Sequence, residues 1–113
     1  MVSIAVGPKS LSISLSARER SLLGRPNLAL ELNRVKAFQI TEMPGAGELG
    51  VRVSKRPLLG GLTGEWRLGS SRMVVLGGKA GAKALKLTLL HPTIDVIWYS
   101  GTDVESLFAQ LGK

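Results

Sequence analysis

Short alternations of apolar and polar residues run along most of the chain. VSIAV and LSISLS flank a Gly7-Pro8 turn and predict two strands. Leu28, Leu30 and Leu32 alternate with Ala29 and Glu31, which predicts a third. After a break at Asn33-Arg34, VKAFQITEM predicts a strand from Val35 with Phe38 and Ile40 on one face, ended by Pro44-Gly45. Alternation resumes in VRVS, with Val51 and Val53 opposite Arg52 and Ser54. RPLLGGLTG reads as loop, and EWRLGSSRMVVLGG as a hairpin turning at Gly69-Ser70-Ser71. ALKLTLLH sets Leu85, Leu87 and Leu89 against Lys86, Thr88 and Leu90. IDVIWYS places Ile94, Val96 and Trp98 on one side.

Two stretches carry the helical period instead. Ser16 with Glu19 has capping-box spacing, Leu22 and Leu23 add an apolar patch, and Gly24 and Pro26 end a short helical turn. Near the C-terminus, Thr102 and Glu105 repeat the capping-box spacing. Val104, Leu107, Phe108 and Leu111 recur on one face, and Gly112 closes the helix. Burying that stripe is worth roughly 6–10 kcal/mol before entropy is set against it. The expected fold class is mainly β, with many short antiparallel strands and a C-terminal helix. At 113 residues, positions 1–113 are expected to form a single domain with one core.

Composition narrows the chemistry. With no cysteine, disulfides, thiolate metal sites and thiol nucleophiles are excluded. The N-terminus lacks the pattern of a signal peptide, and no apolar run reaches the length needed to span a bilayer. The expected location is the cytoplasm. Charge is unevenly placed: Arg52, Lys55, Arg56, Arg67, Arg72, Lys79, Lys83 and Lys86 stand against Glu65 alone, so residues 51–86 hold the whole net charge of +7. Such a segment attracts anionic partners, or else only keeps exposed strand faces soluble.

The motifs are weaker than they look. GAGELG (Gly45, Gly47, Gly50) matches GxGxxG, but the β-type run VRVSKRP follows it where a dinucleotide site needs a helix. It reads as a glycine-rich connection. GGKAGAK (77–83) resembles a phosphate loop only in composition and reads as a hairpin tip. His91 is the only histidine, and the acids are spread singly, so neither a metal site nor paired-carboxylate chemistry is expected. No catalytic residue and no cofactor is expected. Trp66 beside Arg67 is the one hint of a nucleic-acid platform, and a core tryptophan explains it better.

In order, these elements resemble the bacterial pleckstrin-homology-like domain family. The residues that carry the likeness are GVRVSKRPLLGGLTGEW, from Gly50 to Trp66, and the ending YSGTDVESLFAQL. The resemblance implies a bent antiparallel barrel, or two orthogonal sheets, of about seven strands, one open end closed by the C-terminal helix. It also implies a non-enzymatic binding module. Phosphoinositide recognition does not carry over, because the hairpin that would match holds only Lys9.

The leading expectation is therefore a basic face that engages an anionic lipid surface or an acidic protein. The candidate contacts are Arg52, Lys55, Arg56, Arg67, Arg72, Lys79, Lys83 and Lys86. Peripheral attachment at the inner membrane face would follow. The alternative is a protein–protein or self-assembly module, a homo-oligomer included, that uses an edge strand or the helix groove. Nucleic-acid binding fits the charge but lacks a recognisable module.

Overall fold

Apolar residues at every second position need a partner surface on one side of each strand, and two sheets meet that need together. The computed structural model describes residues 3–14, 28–52, 64–76, 81–91 and 94–112. The predicted helical turn from Ser16 to Pro26 lies outside them, as do Val53 and Ser54 of the predicted VRVS strand and most of the predicted loop 56–64 and hairpin tip 77–83. The first sheet is an antiparallel meander of β1 (Ser3–Val6), β2 (Ser10–Ser14) and β3 (Leu28–Glu31). Its first turn is the expected one at Gly7-Pro8, closed by the Gly7 N–H donating to the Ser10 carbonyl at 2.7 Å. A 3-10 turn, η1 (Leu32–Arg34), then carries the chain out of this sheet, at the predicted Asn33-Arg34 break.

The second sheet holds β4 (Val35–Glu42), β5 (Val51–Arg52), β6 (Gly64–Leu68), β7 (Ser71–Leu76), β8 (Lys83–Leu89) and β9 (Val96–Tyr99). Its order is β4-β8-β9-β7-β6-β5, so the last strand lies inside the sheet. All its pairs are antiparallel except β7 with β9, which run parallel with Val74 beside Ile97. A bulge interrupts β4 between Val35 and Ala37. The mainly β expectation holds, with two sheets and a C-terminal helix. The finer expectation differs: the described residues form nine strands, include a parallel pair and do not close into a barrel.

The larger sheet is covered on both faces. On one side Val74, Leu76, Leu85, Leu87, Leu89, Ile97 and Tyr99 pack with Leu11, Ile13 and Leu30 of the smaller sheet to form the main core. On the other side Trp66, Met73, Val75 and Ala84 form a second core with Met43 and Leu49. Trp66 is thus a core tryptophan, as its chemistry suggested. Two-sided burial explains why Met73 to Leu76 are all buried, against the alternation expected of a one-sided strand.

Two local expectations are corrected. GAGELG is not wholly a connection, because Ala46–Leu49 folds as one helical turn, α1, that drives Leu49 into the second core. Gly50 follows at φ +91°, and a side chain there would overlap the carbonyl of Arg67. Gly69 has a comparable φ of +61° but open space around it. The terminal helix α2 (Val104–Leu111) buries Val104 and Leu107 as predicted and packs against β1, β4 and β8. Phe108 stays 38% exposed, its ring edge-on to Phe38 with centroids 5.3 Å apart. The capping box does not form. Asp103 holds the N-cap position without a side-chain cap and instead accepts the Tyr99 hydroxyl at 2.6 Å.

Two outcomes test this packing. Ile97→Ala, at the junction of both sheets, should cost about 2–5 kcal/mol in denaturant unfolding. Gly50→Ala should cost more than Gly69→Ala, whose penalty is about 1 kcal/mol from backbone strain alone.

Candidate functional site

With both faces of the large sheet filled, its polar chemistry is pushed to the strand ends. One row of residues crosses the sheet at such an end. Val35 lies beside Leu89, and the Leu89 N–H donates to the Asp95 carbonyl at 2.9 Å. The Asp95 N–H donates to the Arg72 carbonyl at 2.8 Å. Arg72 then stands opposite Arg67, and Arg67 opposite Val51. Six strands at about 4.8 Å spacing make this rim about 24 Å long. Just beyond the row lie Arg34, Leu90 and Leu68, and the Arg34 Nη1 donates to the Leu90 carbonyl at 3.1 Å.

The composition of the rim is unusual. Val51 at 72%, Leu90 at 59% and Leu68 at 52% are the most exposed large hydrophobic residues among those described, and all three stand here. Arg34, Arg67 and Arg72 stand among them. Val51 was expected to point inward with Val53. It faces solvent because β5 is an edge strand of two residues, paired only with β6 among the described residues.

One acid tempers the rim. The backbone N–H and Nε of Arg72 both donate to Asp95 Oδ2, at 2.8 and 3.2 Å. The side-chain hydrogen bond from Arg72 is the main reason that the Asp95 carboxyl lies below its ordinary range, with the backbone hydrogen bond next. His91 is half-buried beside Leu90.

The eight cations expected to form one basic face do not all share a face. Lys55, Arg56 and Lys79 lie outside the described residues, and Arg52 is the last residue of β5, in register with Trp66. Arg67 and Arg72 are neighbours on the rim. Lys83 is at the opposite end of the sheet, where its ammonium pairs with Glu105 of α2. That contact lowers the Glu105 pKa, chiefly through the hydrogen bond. Lys86 is on the other face, its Nζ 5.2 Å from the centre of the Trp98 ring, and Trp98 Nε1 donates to Met73 Sδ at 3.5 Å. Three of the four cations with described side chains thus have intramolecular partners.

Sequence reasoning missed Arg34, Leu68 and Leu90. The available signal was an apolar residue next to a strand end, RLGS at Leu68 and LLHP at Leu90, where alternation calls for a polar one; Arg34, in NRVK, carried no such signal.

Elsewhere the surface offers less. Two open depressions of about 510 and 290 Å³ flank the β1–β2 turn, sharing Pro8 and Leu32. Their charged residues are Lys9 and Glu31, of opposite sign, so they do not select an anion. Among the described residues no three His, Asp or Glu side chains cluster as metal ligands, and no helix is long and apolar enough to cross a membrane. No family model matches the chain, and neither a curated protein nor a solved structure shows significant similarity to it.

Stability should respond to acid through Asp95. Its folded pKa is depressed, so its stabilisation is present at neutral pH and is lost as pH falls below the ordinary carboxylate range of about 4. Thermal unfolding followed across roughly pH 2–6 should show a shallower acid-side fall for Asp95→Asn than for the parent protein.

Proposed function

We propose that this protein is a non-enzymatic binding module that attaches reversibly to an anionic membrane surface through the rim. The observation that carries the reading is the coincidence of exposed Val51, Leu68 and Leu90 with Arg34, Arg67 and Arg72 at one end of one sheet. Aliphatic side chains enter the acyl boundary while guanidinium groups stay with lipid phosphates.

The magnitudes describe a weak contact. Three arginines at about 1 kcal/mol each, one of them already shared with Asp95, and two half-exposed leucines at about 1 kcal/mol each give about 4–5 kcal/mol. That is a sub-millimolar dissociation constant, so a single copy would exchange rapidly. Kinship with pleckstrin-homology-like domains belongs to the same proposal. The two sheets and the helix against β1 and β4 support it, whereas the parallel β7–β9 pair and the open sheets depart from it.

Flotation with phosphatidylglycerol and phosphatidylcholine vesicles tests the reading. Binding should be confined to acidic vesicles and weaken with salt, and Arg34→Glu with Arg67→Glu should abolish it. Leu68→Ser with Leu90→Ser should remove the fraction that resists salt. Absence of binding at low salt, or equal binding to neutral vesicles, rejects the membrane. Capture of polyglutamate without vesicle binding would assign the rim to an acidic protein instead.

A further inference from the structure

The sheet edges of this protein are not equally protected. Edge strands carry unpaired backbone groups and are normally kept short, charged, bulged or covered. β5 has two residues, while β1 and β3 have four each. β4 has eight and ends the six-stranded sheet, so it is the longest edge among the described residues. The bulge between Val35 and Ala37 falls at Lys36, which has no partner on β8, and leaves Ala37 to Glu42 regular. Within that regular part Ala37 and Gln39 are exposed and uncharged, and Thr41 is half-buried.

The charges of β4 select a partner. Its only ionisable residues are Lys36 and Glu42, both exposed. Among the described residues neither has an ion pair. Lys83, the cross-strand neighbour of Glu42, is already paired with Glu105. Two β4 strands related by a two-fold axis at Gln39 place Lys36 of each copy opposite Glu42 of the other. The same register sets Phe38 opposite Ile40, Ala37 opposite Thr41, and Gln39 opposite itself. Phe38 and Ile40 both face the main core, so this register alone joins opposite charges while keeping each apolar face continuous. Phe108, exposed beside Phe38, lies next to the joined edges.

We infer that β4 is a self-complementary edge through which two copies of this chain pair antiparallel, joining their large sheets into one continuous sheet. The occupant of the edge is a second copy because the strand matches itself in charge, face and register at once. The inference does not rest on membrane attachment. It places the two rims at opposite ends of the dimer, since β4 begins at the rim.

The chain has no cysteine, which gives a direct test. Opposed residues in an antiparallel pair have Cα atoms about 4.5–5.5 Å apart, within disulfide range. Gln39→Cys should therefore form a disulfide-linked dimer under mild oxidation, faster than Ser70→Cys at the distant β6–β7 turn. Sedimentation velocity on the parent protein should show a concentration-dependent dimer. Lys36→Glu and Glu42→Lys should each weaken that dimer about five- to thirty-fold, because each reverses two symmetric pairs, and the double variant should restore it. Circular dichroism of each variant establishes that it is folded. A folded protein that remains monomeric at all concentrations overturns the inference. So does a dimer indifferent to either charge reversal, or equal oxidation of the two cysteine variants.

Discussion

The structure depends on burying one sheet on both faces. β7 contributes Val74 and Leu76 to one core and Met73 and Val75 to the other, and β9 beside it contributes Ile97 and Tyr99 to the first while Val96 and Trp98 pack against the second. A strand flanked by apolar matter on both sides has nowhere to put a charge without a large desolvation cost. From Met73 to Leu76 and from Val96 to Tyr99 the two central strands therefore carry no charged residue. The smaller sheet and α2 cover one face; α1 and Met43 help to cover the other.

That exclusion organises the electrostatics. Arg72 and Asp95 meet where β7 and β9 begin, whereas Lys83 and Glu105 meet where β8 begins and α2 starts. Each pair is solvent-exposed, so each fixes geometry more than it adds stability. Lys86 solves the same problem differently, laying its charge over the Trp98 ring at the border of the second core. A middle segment rich in cations is thus compatible with a fold whose described cations point several ways.

Much of the local structure could be read from the sequence, because period-2 patterns and turn residues act over a few positions. The β1–β2 turn, the Phe38 and Ile40 face of β4, the Leu85-Leu87-Leu89 face of β8 and the apolar stripe of α2 are all of this kind. What could not be read depends on distant partners. Glu105 has the spacing of a capping box, yet it pairs with Lys83, and Asp103 is taken by Tyr99. Leu49 sits in a glycine-rich run that resembles a loop until Trp66 and Met43 give it a core to enter. The rim was hidden for the same reason: Arg34, Leu68 and Leu90 are far apart in sequence and meet only through strand order. Clustering eight cations within one segment gave the net charge correctly but not its direction in space.

Strand order also bears on how a growing chain reaches this state. β7 and β8 run in opposite directions and are joined by the few residues from 77 to 82, which is the arrangement of an ordinary hairpin. Neighbours of that kind zip together within microseconds. In the finished molecule they do not touch as partners, because β9 lies between them. As the chain leaves the ribosome, β7 and β8 are complete before Val96 to Tyr99 exist, so the quickest pairing open to them is one the final sheet forbids. Either that hairpin forms and must be prised apart, or something holds both edges until β9 arrives. In both cases the native order needs β9 to enter between two strands that are already complete, and a chain stopped before residue 96 lacks the strand that separates them.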